Sequence, residues 1–552
     1  MNRRLVEKAE ALLTREKGAI RKDHGGRIRI CLVYPNTYPV GMSNLGFQGI
    51  YGLLNRRDDV VCERAFLPGD EDLEEYRRTK TPLFSLESKT PVGEFDIVAF
   101  SISFENDYPA VLKILELAKV PFRSRERNPY HPLVAAGGVF AFFNPEPLAP
   151  AFDIVFIGEA EESLEEFLEV YRGGREKGGR PEDWKQFVKK NALSLAGVYV
   201  PEYYSLSYHA DGTIAGRSAL HGAPGRIRRR YLKDFAKSPL TTAVVTPDSE
   251  FSSMYLVEIM RGCPWSCRFC LVGHIYTPLR KKDPAAVFAE IDAAGALARR
   301  VGLIGPSLSD YPHIHEVLCM EGVSFSLTSL RASEKSAALV RFLKGSRSVS
   351  IAPEAGTERM RRVINKKVTE RDILSTSSLL FAAGTGTLRL YFMIGLPTET
   401  DEDVSGIADL VKKIRGLSAK GNITLSVSTF VPKPFTPFQW HPMAPLSAVK
   451  EKLKRIKREL KDVRGVKVLH DVPKYAHMQG LFARGDRRIF AVLEAMTAED
   501  DWGEACSAAG VDRDFYLFRE RDAGENLPWD FIETGSGKES LWREYRTALS
   551  VP

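Results

Sequence analysis

The segment Arg261-Gly-Cys-Pro-Trp-Ser-Cys-Arg-Phe-Cys270 gathers Cys263, Cys267 and Cys270, three of the seven cysteines in the chain, into eight residues. Three residues separate the first pair and two the second. Iron–sulfur clusters are held by cysteine thiolates, and a [4Fe–4S] cube ordinarily takes four protein ligands. Three close thiolates without a local fourth leave one iron open to another ligand. Zinc calls instead for paired C-x-x-C knuckles or histidine partners that complete a tetrahedron. No second cysteine pair lies nearby, and His274 is the only local histidine. The bland alternative is three buried cysteines that happen to cluster. The spacing predicts a catalytic cluster loop, and the rest of the chain has to present and protect it.

A chain of 552 residues is expected to hold three or four domains, at roughly 150 residues each. Its 44% hydrophobic and 27% charged composition suffices for several buried cores. No apolar run approaches the roughly 18 residues of a membrane span, and Asn2-Arg3-Arg4 is not followed by a signal-peptide core. Cys31, Cys62, Cys319 and Cys506 are scattered, which argues against a disulfide framework and for a reducing, cytoplasmic compartment. The net charge of +7 is a modest excess that could favour a polyanionic substrate without identifying one. The densest basic stretches are Arg226-Ile-Arg-Arg-Arg230 and residues 450–464, where Leu453, Ile456 and Leu460 recur at helical spacing. A basic linker and a solvated helix face account for both; an RNA-contacting surface is the second reading.

Residues 1–26 are expected as a charged lead-in helix. From Arg27 onward strands and helices alternate, with strands over 29–34, 96–103, 133–136 and 154–157 and helices over 45–54, 109–118 and 161–171. This alternation predicts a doubly wound parallel α/β sheet over 27–194, which binds ligands at the carboxyl ends of its strands. The loops at those ends are 35–46, 104–107, 137–150 and 158–159. Residues 195–253 form a connector with a strand-like 197–201. Between 254 and 468 the strand candidates are 254–260, 301–305, 324–330, 348–352, 388–394 and 425–431, and Asp283-Pro284 suits a helix start. About six β/α units make an incomplete relative of the eight-unit barrel, whose active site lies at the strand carboxyl ends. The cysteine loop follows the first of these strands. Residues 469–552 are expected as a small α-rich C-terminal region.

The cysteine spacing on such a fold resembles the radical SAM superfamily, and Phe269, just before the last cysteine, matches its pattern. The resemblance implies a [4Fe–4S] cluster on Cys263, Cys267 and Cys270 whose open iron binds S-adenosylmethionine through its amino and carboxylate groups, with Phe269 near the adenine. After the second strand, Gly305-Pro-Ser-Leu-Ser-Asp310 departs from the family's Gly-Gly-Glu-like segment and leaves Ser307 as a stand-in. After the fourth, Ile351-Ala-Pro-Glu-Ala-Gly-Thr-Glu-Arg-Met360 offers Glu354 to the ribose or amino group and Arg359 to the carboxylate. A surface salt bridge is the equal alternative for Arg359. After the fifth, Gly395-Leu-Pro-Thr-Glu399 is similar to the family's Gly-x-Pro-x-Glu turn, so Gly395, Pro397 and Glu399 are expected to support the adenine. Thr400 and Asp403 also form a plain helix start.

The loop Ala136-Gly-Gly-Val-Phe-Ala-Phe-Phe-Asn-Pro-Glu-Pro-Leu148 and the turn Ile157-Gly-Glu-Ala-Glu161 resemble a radical SAM subgroup with an N-terminal cobalamin-binding-type domain. Residues 37–46, 352–361 and 430–440, with Arg484-Gly-Asp-Arg-Arg488 and Leu527-Pro-Trp-Asp530, extend the likeness to nearly the whole chain. The best-known cobalamin domains place Asp-x-His-x-x-Gly after the first strand, whereas Asn36-Thr-Tyr-Pro-Val-Gly-Met-Ser-Asn-Leu-Gly46 contains no histidine. The resemblance then implies cobalamin without a protein imidazole, near Tyr38, Gly41, Met42, Gly137, Gly138 and residues 104–107; alternatively the glycines only permit tight turns. Three readings follow. The first is a cobalamin-dependent radical SAM transferase, chiefly a methylase, fed by a reductase or flavodoxin-type electron donor. The second is a cobalamin-independent radical SAM enzyme that modifies RNA or protein, and the third a non-catalytic iron–sulfur or zinc module that binds partners. RNA, protein and small molecules all stay open as substrates. The tRNA and ribosomal-protein methylthiotransferases need three further N-terminal cysteines and a TRAM-like C-terminal barrel; here only Cys31 and Cys62 precede the motif.

Overall fold

The computed structural model describes residues 2–552 apart from 239, 296, 328, 344, 345 and 500. The lead-in helix, Arg3–Arg15, is capped by the Asn2 side chain and buries Leu5, Ala9 and Leu13. It ends well short of residue 26, because Glu16 turns inward.

Six strands follow: β1 (Ile28–Tyr34), β2 (Val60–Phe66), β3 (Ile97–Ser101), β4 (Leu133–Gly137), β5 (Ile154–Phe156) and β6 (Val198–Tyr199). They form one sheet in the order β2-β1-β3-β4-β5-β6. The first five are parallel and β6 closes the edge antiparallel to β5. Helices Leu45–Asn55, Asp70–Thr79, Tyr108–Leu117 and Ala160–Glu176 connect the strands, as a doubly wound sheet requires. The strand order reverses between β1 and β3, and the crevice at such a reversal is where these sheets take ligands.

The sequence pattern did not disclose β2. Val60-Val-Cys-Glu-Arg-Ala-Phe66 carries two charges in its middle, yet the whole strand to Ala65 is buried. Arg64 is ion-paired with Glu16 at 2.7 Å and Glu87 at 2.6 Å. Glu63 accepts hydrogen bonds from the hydroxyls of Ser85 at 2.5 Å and Ser88 at 2.6 Å. Buried charges persist only when paired in this way, and the pairing lets a polar-looking segment sit in the core.

The second half is the partial barrel. Its parallel strands are Met254–Glu258, Arg300–Ile304, Ser324–Ser326 continuing as Ser329–Leu330, Ser348–Glu354, Thr387–Ile394, Asn422–Thr429 and Val466–His470. The last of these adds to the six expected and pairs with Asn422–Thr429. Leu388, Leu390, Phe392, Ile423, Leu425 and Val427 alternate onto the face packed against helices Glu370–Ala382, Asp401–Gly416 and Leu446–Leu460. In the last of these helices Val449, Leu453, Ile456 and Leu460 are buried, so its basic residues form a solvated outer face. Asp283 caps its helix by accepting from the Ala285 N–H, and Thr400 and Asp403 make a capping box.

The C-terminal region is helical, as expected, and folds back over both halves: Ile532–Glu533 pairs in parallel with Ile227–Arg228 of the connector. The Arg-Gly-Asp-Arg-Arg stretch is interior structure. Arg484 donates to the Tyr516 carbonyl at 2.7 Å, and Arg487 pairs with the buried Glu146 at 2.8 Å. Among the described residues no helix is long and apolar enough to cross a membrane.

Candidate active site between the sheet and the barrel

A cavity of about 540 Å³ lies where the carboxyl ends of the two sheets face each other. One wall is built from the ends of β1, β3, β4 and β5, including Asn44, Ser103, Gly138 and Glu159. The other comes from the first two barrel strands and the start of the cysteine loop, including Met260, Arg261, Gly262 and Gly305. Its size suits a small-molecule site. Asn44 Nδ2 donates to Ser103 Oγ at 3.1 Å, bridging the reversal between β1 and β3.

The cysteine loop is held from every side. Arg261, two residues before Cys263, makes ion pairs with Glu159 and Glu161 beyond β5, both at 2.8 Å, and with Glu258 at 2.7 Å. Arg280 also pairs with Glu159, at 2.6 Å. Burial opposes ionisation of Glu159, but Arg280 and Arg261 hold its carboxyl below the usual range. Gly262 has φ +88°, and a Cβ there would meet the Tyr276 carbonyl oxygen at 2.4 Å, so the approach to Cys263 requires glycine. Trp265 Nε1 donates to Asp310 at 2.6 Å, as does Ser307 Oγ at 2.7 Å. Arg331 stacks on Trp265 at 3.8 Å. Arg268 donates to the Val363 carbonyl at 2.8 Å and pairs with Glu544 of the C-terminal helix Lys538–Leu549 at 3.0 Å.

Cys267 is buried, and Cys263 and Cys270 are half-buried. Burial pushes all three thiols up, Cys270 to about 11. The opposing influences come from the backbone N–H of Trp265 at Cys263, those of Val272 and Gly273 at Cys270, and the charges of Lys366 and Arg331 at Cys267. Among the described residues no three His, Cys, Asp or Glu side chains gather around one ion. A cube distributes its thiolates over separate irons, so its ligands need not converge on a point. His274 is buried with Nε2 3.2 Å from the Cys267 carbonyl oxygen, a contact that braces the loop.

The other expected site residues divide. Phe269, within the loop, is half-buried against the core, Ser307 joins the loop through Asp310, and Glu354 pairs with Lys366 at 3.0 Å; none of the three lines the cavity. Arg359 is committed to Asp403 and to the Thr398 carbonyl at 2.7 Å, the salt-bridge alternative. The turn at Gly395 and Pro397 closes on itself: Glu399 accepts from Gly395 N–H at 2.7 Å and pairs with Lys452 at 2.5 Å, so its carboxylate is used inside the turn.

Tyr38, Gly41 and Met42 do not line the cavity. Tyr38 donates to Glu16 at 2.6 Å, Met42 sulfur accepts from Arg64 at 3.3 Å, and Gly41 abuts Phe66; all three face the lead-in helix and β2. Asn44, Leu45 and Gly46, a few residues later, take their place at the wall. Gly138 does line it, with φ +99° and the Ile102 carbonyl oxygen 2.5 Å from where a Cβ would stand, whereas Gly137 does not. Residues 104–107 turn away as well: Glu105 pairs with Lys433 and accepts from Gln479 at 2.9 Å. His131 precedes β4 at the opposite edge, and among the described residues no histidine lines the cavity. The glutamates of the 157–161 turn, Arg261, Arg331 and Lys366 were missed as site residues. Arg261 adjoins the cysteine motif and the glutamates lie in a turn already singled out, but only the fold joins them.

Residues 46–201 match the family described as radical SAM proteins, N-terminal, and residues 257–411 match the radical SAM superfamily. An uncharacterized protein of Methanocaldococcus jannaschii is 31% identical over 505 residues, covering 90% of this chain and 97% of that protein. A tRNA-2-methylthio-N(6)-dimethylallyladenosine synthase of Desulfosudis oleivorans is 25% identical over 191 residues, 31% of this chain and 41% of the synthase. Among solved structures, the cobalamin-dependent S-adenosylmethionine radical enzyme OxsB with aqua-cobalamin and S-adenosylmethionine bound aligns with a TM-score of 0.49 and 13% identity, covering 89% of this chain and 72% of that one. The protein is thus an α/β enzyme with a cysteine-bearing partial barrel. It belongs to the radical SAM superfamily. Membership in a superfamily of enzymes removes the third reading, a non-catalytic partner-binding module.

Proposed function

We propose that Cys263, Cys267 and Cys270 hold a [4Fe–4S] cluster, that S-adenosylmethionine binds beside it, and that the N-terminal sheet carries cobalamin across the same cavity for methyl or other group transfer. The observation that supports this reading is the shared wall. One cavity touches Gly262, next to the first cysteine, and the β1/β3 switch point at Asn44 and Ser103. The donor set suits a cluster: three thiols, with backbone N–H groups already directed at two of the sulfurs.

When bound, the cluster and S-adenosylmethionine supply a 5′-deoxyadenosyl radical that abstracts hydrogen from an unactivated position. The chain's own residues position and shield. Trp265 and Arg268 fix the loop, while Arg331 and Lys366 offset thiolate charge. Phe269, Ser307 and Glu354 would hold the nucleoside and amino acid of S-adenosylmethionine. The Arg261–Glu159 pair ties the two halves together. With no histidine at the wall, cobalt would carry no protein imidazole. The second reading, a sheet that only shapes the substrate site, draws on Gly138, whose missing side chain is already required by Ile102. Electrons would come from a separate reductase or flavodoxin-type donor in a reducing compartment.

Anaerobic reconstitution with iron, sulfide and hydroxocobalamin, followed by metal analysis, tests the proposal. About four irons with one cobalt per chain is expected; iron without cobalt selects the second reading. Dithionite-reduced, cluster-loaded protein should convert S-adenosylmethionine to 5′-deoxyadenosine, and an intact cluster that yields none refutes the radical chemistry.

A further inference from the structure

In the five-stranded part of the barrel, in-register pairing aligns one row of residues across every strand: Ser329, Ser350, Arg389, Thr424 and Lys467. Residues so paired point to the same face of a sheet, and residues two further along join them. The next row therefore holds Tyr391, Ser426 and Leu469. This face is opposite the one packed against helices, so it would be the interior of a closed barrel. Closed barrels fill that space with layers of branched apolar side chains.

Here the interior is open and polar. Arg389 and Lys467 are exposed, Tyr391 is 38% and Leu469 40% exposed, and hydroxyl side chains stand between the two cations. Neither the Arg389 nor the Lys467 side chain has an ion-pair or hydrogen-bond partner among the described residues. The one carboxylate in these strands, Glu354, is occupied by Lys366 at 3.0 Å. The face is also continuous with the active-site cavity, because Ser329, the first member of the row, lines both. At the usual strand spacing the row spans about 19 Å from Ser329 to Lys467, longer than a small metabolite needs.

Unpaired cations recognise phosphates without regard to sequence. An exposed tyrosine ring beside them is a platform for a base. We infer that this inner face is the substrate track and that its occupant is a single-stranded RNA segment, running from the Lys467 edge to the cavity at Ser329. The inference rests on the reading of that cavity as the reaction site.

The test is fluorescence anisotropy of a fluorescein-labelled single-stranded oligoribonucleotide with the full, cluster-loaded chain. The double variant Arg389→Glu/Lys467→Glu should bind at least tenfold more weakly, and its slope of log affinity against log salt should shrink by about 1.4, or about 0.7 per lost phosphate contact. Tyr391→Ala should weaken binding roughly tenfold with the slope unchanged. Lys454→Glu, on the exposed outer face of helix Leu446–Leu460, should leave binding within about twofold. If the charge reversals unfold the protein, Arg389→Gln/Lys467→Gln should give the same change in slope. Equal weakening by Lys454→Glu, unaltered binding by the double variant, or competition by polyglutamate as strong as that by RNA would overturn the assignment. Wild-type protein that cleaves S-adenosylmethionine yet binds no RNA overturns the track and leaves the reaction standing. Protein that binds RNA on these terms yet cleaves nothing supports the track and overturns the reaction.

Discussion

Arg261 and Glu159 form an ion pair at 2.8 Å that joins the start of the cysteine loop to the end of β5 in the other half of the molecule. Both side chains are buried, and Glu161 shares the same guanidinium. Removing one partner of a buried pair costs about 3–5 kcal/mol, because the remaining charge is left without compensation. Arg261→Met should therefore lower stability by about that amount and reduce iron uptake on reconstitution. Arg261→Lys should recover only part of it, since a single ammonium cannot reach three carboxylates as a fork does. Chemical denaturation alongside iron analysis checks both; an Arg261→Met protein of wild-type stability would remove the pair from the account.

Replacing Cys263, Cys267 or Cys270 with Ala should abolish the visible absorbance of the reconstituted cluster, while Cys319→Ala, an exposed cysteine far along the chain, should leave it intact. The measurement is iron and sulfide content with the absorption spectrum. Full iron and sulfide in the triple variant would refute the ligand assignment.

Arg331 lies on Trp265 within the cysteine loop, and with Lys366 it favours the Cys267 thiolate. Nearby positive charge stabilises a reduced cluster. One such charge is worth about 2 kcal/mol at roughly 8 Å for an effective dielectric near 20. Arg331→Gln should thus make the cluster potential more negative, on the order of 50–100 mV for a one-electron couple. An EPR-monitored redox titration decides the point, and an unchanged or more positive potential would count against it.

Burial pushes the Asp107 carboxyl up to about 6, with the Asn36 hydrogen bond at 2.8 Å opposing and Glu105 adding to the rise. In the unfolded chain it ionises near the ordinary value of about 3.9. Between those two values the unfolded state has released a proton that the folded state keeps, so stability falls as pH rises through the window and stays low above it. Asp107→Asn keeps the acceptor for Asn36 and removes the charge. It should raise stability by about 2–3 kcal/mol at pH 8 and by nothing at pH 4. Urea denaturation at both values is the check; a gain of equal size at each would dismiss the carboxyl as the cause.

The cysteine loop, the alternating sheet and the parallel barrel strands were legible because spacing and period carry them. What stayed hidden has physical causes. β2 was missed because Glu63 and Arg64 break its apolar run, and their partners lie at Glu16, Ser85 and Glu87, outside the strand. Tyr38 and Met42 fall in the expected loop, but the inward turn of Glu16 draws them away from the cavity. Arg359 had two readings of equal standing, and the choice was made by Asp403, on a helix more than forty residues later. The last barrel strand alternates poorly, since both its faces are partly exposed at the sheet edge.

The contact between Arg268 and Glu544 has a consequence in time. Those residues are 276 positions apart, so at about 5–20 residues per second the cysteine loop leaves the ribosome about 15–55 s before the helix that braces it. During that interval the thiols are open to whatever delivers iron and sulfide, and also to oxidants. Once Glu544 arrives, Arg268 is pinned and the loop is braced, while Cys263 and Cys270 stay partly exposed. Overexpression that outruns iron delivery should yield folded chains without iron that still take up iron and sulfide on reconstitution, and slower synthesis should raise the fraction loaded in the cell.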